Sequence, residues 1–428
     1  MKPRRWYRFT PYLGRAPALS ARQWKVLGLI FAISFFEAYD LSLMSMNLRQ
    51  IQTELGIDEG SLGLLGSFIR SGALLALFVV PFADRYGRRR VLLVTIIGYT
   101  LATAMTAFAP NVESFVFLQF IARMFAISEG ILAAVVIVEE FAPENRGWGI
   151  GAAAAIQAGG AGFASMMFGF VELLPYGWRS LYLIGVIPLF LIAWWRRTLP
   201  ETGQFTELGN VLHNAPVPLV SNVLRIVREH PRNFLLLAIT LFCFSVAGAG
   251  ATFFAPKYLQ DVHGWTPSEI ALLMFFGGAL AVIGNPLSGW LSDRFGRRPT
   301  GALFSLGFGV TLITFYSTGG WIAPVMLIAA LFFTMGAAVT LNTYSVELFP
   351  TSMRASASGA TQCVSVLGAI AGLMSVSLLF EFVGSNWAAI AILVGFSLVV
   401  APVIYWFFPE TAGKSLEEIA PERLVPAP

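Results

Sequence analysis

Residues 80–90 read VPFADRYGRRR, and residues 288–298 read SGWLSDRFGRR. Asp84, Arg85, Gly87, Arg88 and Arg89 of the first stretch match Asp293, Arg294, Gly296, Arg297 and Arg298 of the second. Two further pairs follow. EEFAPENRG at 139–147 is answered by ELFPTSMRA at 347–355, which aligns Pro143 with Pro350 and Arg146 with Arg354, and LPETG at 199–203 is answered by FPETAG at 408–413. All three pairs lie about 208 residues apart, a regularity that random hydrophobic sequence does not produce, so the chain contains two copies of one unit.

The sequence around these motifs is oil-like. Of 428 residues 56% are apolar and only 12% charged, outside the range of soluble domains. A helix needs roughly 20 apolar residues to cross a hydrocarbon core of about 30 Å. Twelve such runs lie near 26–46, 62–82, 91–108, 115–138, 149–173, 180–195, 234–255, 270–291, 301–318, 322–346, 355–380 and 387–408. Barrel strands would show short alternating patterns instead, so the spans are read as helices.

Lys and Arg accumulate in short cytoplasmic loops. With the N-terminus inside, only Arg49, Arg179 and Lys257 of the 28 basic residues fall on the outer side, and Arg70 and Arg123 fall within the membrane. The net charge of +4 then reflects topology and anionic lipid, and nucleic-acid binding is excluded as its cause. The basic N-terminal stretch is followed by a full span without a small-residue cleavage site, so it is read as a cytoplasmic arm and not a signal peptide. Cys243 and Cys363 fall inside apolar helices as packing residues. His213, His230 and His263 fall in loops and do not cluster, so no metal site is expected. Nor is GKS at 413–415 a phosphate loop, because Phe408 stands where its leading glycine is required.

The duplicated loops carry a resemblance. The chain resembles the major facilitator superfamily over essentially its whole length. The stretches ELFPTSMRASASG and PETAGKSLEEI look like the group of sugar porters, organic ion transporters and aromatic acid:proton symporters. The resemblance implies an all-α polytopic membrane protein with twelve transmembrane helices in two pseudo-symmetric six-helix bundles around a central path. The corresponding division is a cytoplasmic arm (1–25), an N-terminal bundle (26–195), a cytoplasmic linker (196–232), a C-terminal bundle (233–408) and a cytoplasmic tail (409–428). The linker holds Pro200, Pro216, Pro218 and Pro231 around a helix-like segment, SNVLRIVREH.

Aspartate followed by arginines beside a helix start can form a charge network that closes the cytoplasmic side and breaks when two halves rock. The expected gate comprises Asp84, Arg85, Arg88, Glu140 and Arg146 in the first copy. In the second it comprises Asp293, Arg294, Arg297, Glu347 and Arg354. The same arginines also serve as topology anchors, and Glu139 competes with Glu140 as the counterpart of Glu347.

The sharpest functional evidence is charge placed in oil. The first span carries Glu37 and Asp40, the second Arg70, and the fourth Arg123 and Glu129. Each costs roughly 2.5–3.5 kcal/mol at mid-membrane when unpaired, so the five are expected to face one another or water. Glu37 and Asp40, three residues apart, share a helical face. An inert ion network is the alternative, but buried pairs stabilise poorly. In proton-coupled porters of the resembling group, an acid in helix 1 and an arginine in helix 4 form a protonation-sensitive pair, and Asp40 and Arg123 fit those roles by residue type.

The six spans of the second half contain no Asp, Glu, Lys or Arg expected to be buried. Tyr39, Gln157, Phe253, Asn285 and Gln362 are candidate cavity residues, although each also suits helix packing. Pro286 is expected to kink its helix, and Gly248, Gly250 and Pro256 to loosen theirs. Clustered metal ligands or a nucleophile with its base are missing from this reading, so no enzyme is expected. The expected function is secondary active transport by alternating access, without a cofactor, of an organic anion such as a small or aromatic carboxylate, as a proton-coupled symporter and a monomer. An organic cation or drug exporter, a sugar transporter and a non-transporting sensor on the same fold remain the alternatives.

Overall fold

The computed structural model describes residues 17, 19–141, 143–196, 225–350, 353–414 and 416–421. All twelve apolar runs are helical, and no strand occurs among the described residues. The first half contains α1 (Ala21–Met46), α2 (Leu48–Leu55), α3 (Leu62–Val79), α4 (Phe82–Tyr86), α5 (Arg88–Thr106), α6 (Val112–Glu140), α7 (Pro143–Phe168) and α8 (Trp178–Arg196). The second contains α9 (Pro231–His263), α10 (Pro267–Ala281), α11 (Gly284–Phe295), α12 (Arg297–Ser317), α13 (Ile322–Glu347), α14 (Arg354–Val383), α15 (Asn386–Phe407) and α16 (Leu416–Ile419). Ten spans among the described residues are long and apolar enough to cross a membrane. Helices α5 and α8 supply the other two runs: three arginines open α5, and the apolar part of α8 is shorter, Trp178–Phe190.

Local chemistry sets the ends. Ser20 and Gln23 form a reciprocal capping box at the start of α1, with bonds of 3.2 and 2.9 Å. Asn111 caps α6 by accepting from the Ser114 amide at 3.0 Å. The duplicated DRxG motif makes one break twice. Gly87 (φ 95°) parts α4 from α5, and Gly296 (φ 106°) parts α11 from α12, a backbone region open to glycine.

The duplication extends into packing. A Cβ on Gly72 would stand 2.3 Å from the Phe120 carbonyl oxygen, and one on Gly284 would stand 2.4 Å from that of Phe332. Likewise Gly98 faces the Phe125 ring at 2.4 Å and Gly307 the Phe333 ring at 2.5 Å. Side-chain-free positions therefore let equivalent helices approach closely in each copy.

Proline acts differently at two sites. Helical structure lapses at 282–283, four residues ahead of the missing Pro286 amide, as expected of a kink. Pro256, by contrast, leaves α9 unbroken to His263. This extends the seventh span beyond its expected end near residue 255 and corrects the expectation that the second half buries no charge. The helix runs through the proline, and Lys257 is a helical residue with 3% exposure.

The chain divides into two compact units. Unit 1 comprises Met1–Asp58, Phe68–Ala215 and Pro256–Phe275; unit 2 comprises Glu59–Ser67, Pro216–Ala255 and Phe276–Pro428. These differ from the halves 26–195 and 233–408 by two short exchanges with local causes. In unit 1, Arg49 binds Asp261 at 3.0 Å and Ser268 donates to the Gly169 carbonyl at 2.9 Å. In unit 2, Ser377 accepts from the Leu64 amide at 2.9 Å and Asn386 donates to the Glu59 carbonyl at 2.9 Å.

Buried aliphatic and aromatic residues fill both units, including Leu29, Ile33, Ile96, Ala122 and Leu189 in unit 1 and Leu237, Leu341, Tyr344, Ile404 and Phe408 in unit 2. Within the expected arm and linker, residues 1–16, 18 and 197–224 lie outside the described residues. The expected tail is docked at its start, with Thr411 2% and Ala420 5% exposed.

Candidate functional site

Unit 1 gathers the oil-embedded charges. Glu37 and Asp40 point from one face of α1, each 4% exposed, and Glu129 of α6 is 1% exposed. The Thr95 hydroxyl donates to Glu129 Oε2 at 2.5 Å. One residue beyond Glu129, Gly130 leaves room for the Glu37 carboxyl, whose two oxygens lie 3.5 Å from where a Cβ would stand.

Arg123, half-buried on α6, lies within electrostatic reach of Glu37, Asp40, Tyr99 and Tyr182. Arg70 of α3 in turn lies within reach of Arg123. Among the described residues neither arginine closes a direct ion pair, so the Arg123 guanidinium acts on Glu37 and Asp40 at longer range. Tyr99 and Thr103 of α5 stand beside the Asp40 carboxyl. Asp40 Oδ1, Thr103 Oγ1 and the Tyr182 hydroxyl are buried without a hydrogen-bond partner, which is uncommon and points to a functional group or water. The five charged residues expected to meet thus share one neighbourhood. Thr95, Tyr99, Thr103 and Tyr182 escaped sequence reasoning because neutral residues in apolar helices carry no distinguishing signal.

The cavity candidates separate. Tyr39 is 1% exposed, packs on Phe163 and donates its hydroxyl to the Leu181 carbonyl at 2.8 Å, so it fastens α1 to α8. Gln157 is exposed on α7 in unit 1, and Gln362 is exposed on α14 in unit 2. Phe253 is half-buried against Phe254 and Gly66, and half-buried Asn285 sits at the break before Pro286.

The second copy of the duplicated loop forms a compact network. Arg297 pairs with Asp293 and, at 3.2 Å, with Glu347; it also donates to Ser292 at 2.9 Å. Thr411 donates to Glu347 at 2.5 Å. Glu410 accepts from the backbone amides of Arg297, Arg298 and Ala412 at 2.8, 3.1 and 2.9 Å. Partial burial disfavours its charge, but these amides and that of Thr411 outweigh it and hold the carboxyl below its ordinary value. Ser292, Glu410 and Thr411 were not anticipated as gate residues, although the third repeat, PETAG, marked the last two.

Other expected gate residues stay outside this network. Arg294 lies over the rings of Trp290 and Phe295, 5.3 and 5.8 Å from their centres, as an interfacial anchor does. Arg354 donates to the Val346 carbonyl at 2.9 Å. In the first copy Glu140 binds Arg22 at 2.7 Å, while its carbonyl accepts from Gln23 at 2.7 Å. The side chains of Asp84, Arg85, Arg88 and Arg146 lie outside the described residues.

Residues 30–373 match the family model of the Major Facilitator Superfamily. The chain is 26% identical over 361 residues to the cis,cis-muconate transport protein of Acinetobacter baylyi, covering 82% of this chain and 86% of that protein. It is 26% identical over 403 residues to a 4-hydroxybenzoate transporter of Pseudomonas putida, covering 83% and 86%. The fold is similar to that of a D-xylose-proton symporter, with a TM-score of 0.77 at 16% identity over 92% of this chain and 99% of that one. The chain belongs to the Major Facilitator Superfamily and is a multi-pass membrane transporter, not an enzyme.

Proposed function

We propose that this transporter moves an organic anion, a small or aromatic carboxylate, together with protons by alternating access. The observation that carries the reading is Asp40: a carboxyl buried in a membrane helix, within reach of Arg123, with one oxygen left unpartnered. A carboxylate there balances the guanidinium; once protonated, it leaves that positive charge for the carboxylate of a substrate. Arg70 adds a second positive charge beside the first. The relatives named as transporters of muconate, 4-hydroxybenzoate and gallate support the substrate class, since all three compounds are carboxylates.

In this reading the protein works as a monomer in the inner cell membrane with both termini cytoplasmic, and its partners are lipid, protons and the substrate. The network of Asp293, Arg297, Glu347 and Glu410 is the cytoplasmic gate of the second copy, with Asp84, Arg85, Arg88, Glu140 and Arg146 as its counterpart.

The test is uptake of labelled carboxylates, sugars and amines into proteoliposomes at two external pH values. Carboxylate uptake stimulated by external acid is expected. Asp40→Asn is expected to lose that stimulated uptake while exchanging internal for external substrate, because exchange needs no net proton release. Preference for an amine or a sugar, or full acid stimulation in Asp40→Asn, would overturn the reading.

A further inference from the structure

The start of each half carries a fourth repeat. Helix α1 opens with Ala21, Arg22 and Gln23, and α9 opens with Pro231, Arg232 and Asn233, at the spacing of the three repeated loops. In both triplets the first two residues are exposed and the amide residue is half-buried. Gln23 donates to the Glu140 carbonyl at 2.7 Å, tying α1 to the end of α6. Asn233 donates to the Leu348 carbonyl at 3.2 Å, tying α9 to the end of α13. An arginine thus precedes the fastening residue in each unit, where the helix end carries Glu140 in unit 1 and Glu347 in unit 2.

The two arginines are used differently. Arg22 pairs with Glu140 at 2.7 Å, and that carboxylate side chain is only 10% exposed. Arg232 closes no ion pair among the described residues. The matching acid, Glu347, is 15% exposed and is taken instead by Arg297 at 3.2 Å and by Thr411. Arg297 is a divided partner, since it also serves Asp293 and Ser292. A carboxylate this buried is costly to leave without a cation, whereas an exposed arginine loses little on moving to a new partner. Unit 1 therefore displays a bond that unit 2 has the parts to make.

We propose that Arg232 is the standby counter-ion of Glu347: it takes the carboxylate whenever Arg297 is withdrawn, in the manner of Arg22 at Glu140, so that the charge of Glu347 stays matched while the network of unit 2 rearranges. The inference rests on the gate reading of Glu347 and adds a positioning residue outside the repeated loops.

Wild type, Arg232→Gln, Arg297→Gln and the double variant form the test, each read for initial uptake rate and thermal unfolding. Arg232→Gln alone is expected to leave the unfolding temperature unchanged and to lower the maximal rate about threefold at constant KM, with Arg232→Lys restoring it. In the Arg297→Gln background the same substitution is expected to lower the unfolding temperature by about 2 °C or more, because Glu347 then depends on Arg232 for its cation. A slow Arg297→Gln variant in which Arg232→Gln changes neither rate nor unfolding temperature would overturn the standby role alone. Uptake at the wild-type rate in Arg297→Gln would overturn the gate reading and the proposal with it. Should the double variant not fold, Arg232→Glu in the wild type serves: a carboxylate brought up to Glu347 is expected to slow uptake about tenfold, and an unchanged rate would refute the proposal.

Discussion

Gly160 of α7 meets Phe35 of α1 backbone to backbone: a Cβ on Gly160 would stand 2.0 Å from the Phe35 carbonyl oxygen. Gly368 of α14 makes the same approach to the Phe242 carbonyl oxygen of α9, at 2.7 Å. Each pair joins the first and fifth spans of its own copy. Neither contact can yield by rotating a side chain, because the obstructing atom is main chain.

Gly160→Ala and Gly368→Ala are therefore expected to destabilise the protein by about 1–3 kcal/mol each, the range for forcing extra atoms into a packed interface. Gly151→Ala on the same helix as Gly160 meets nothing within 4 Å and is expected to be neutral or stabilising by about 0.5–1 kcal/mol. Thermal unfolding of the three variants in one detergent checks the order. Equal stability of all three would contradict the close approach.

Much of this was legible in the sequence, for a physical reason. Length of apolar run and spacing of repeated loops are one-dimensional properties, so spans, duplication and the DRxG breaks could be read directly. Charges in oil are equally conspicuous, which is why Glu37, Asp40, Arg70, Arg123 and Glu129 stand out in the sequence. Partner choice is three-dimensional and did not show. Arg294 and Arg297 lie in one motif, yet only Arg297 turns toward Glu347. Lys257 lies just past the apolar run 234–255, and apolarity alone does not tell that the helix continues through Pro256 to His263. Nor does any sequence mark say that the Tyr39 hydroxyl goes to the Leu181 carbonyl.

Tyr39→Phe separates packing from substrate contact. The variant loses one buried hydrogen bond to the Leu181 carbonyl and is expected to cost about 0.5–1.5 kcal/mol. Its apparent KM for substrate is expected to stay within about twofold of wild type, since an interaction that never touches substrate removes no binding energy. A tenfold rise in KM at unchanged stability would return Tyr39 to the cavity.

Two of the three arginines of the DRFGRR motif, Arg294 and Arg297, are expected to respond differently. Arg297→Gln removes the guanidinium from Asp293 and leaves Glu347 with Thr411, and it is expected to cut the transport rate by about tenfold, equivalent to about 1.4 kcal/mol. Arg294→Gln loses only contacts with exposed rings and is expected to stay within about twofold, as surface cation–π contacts are weak. Initial rates normalised to folded protein decide between them, and comparable losses would mean that the motif acts as a topology anchor alone.

Glu410 gives the docked tail a pH dependence with a defined sign. Its carboxylate receives backbone amides from Arg297, Arg298 and Ala412, and its pKa in the folded protein lies below the ordinary glutamate value. A group depressed by folding adds stability that is fully present above its unfolded pKa and fades as the pH falls toward the folded one. Wild type is therefore expected to be more stable than Glu410→Gln near neutral pH, where the ionised carboxylate accepts those amides more strongly than a neutral amide oxygen does. The difference is expected to persist down to the ordinary glutamate range, about pH 4.3, and then to shrink as the pH falls on toward the lower folded value, as the wild-type carboxyl takes up a proton and comes to resemble glutamine. Paired unfolding curves at four or five pH values trace this, and Arg294→Gln, which leaves Glu410 untouched, should run parallel to wild type throughout. A gap that widened on acidification would mean that the protonated form of Glu410 is the one the Arg297 turn holds.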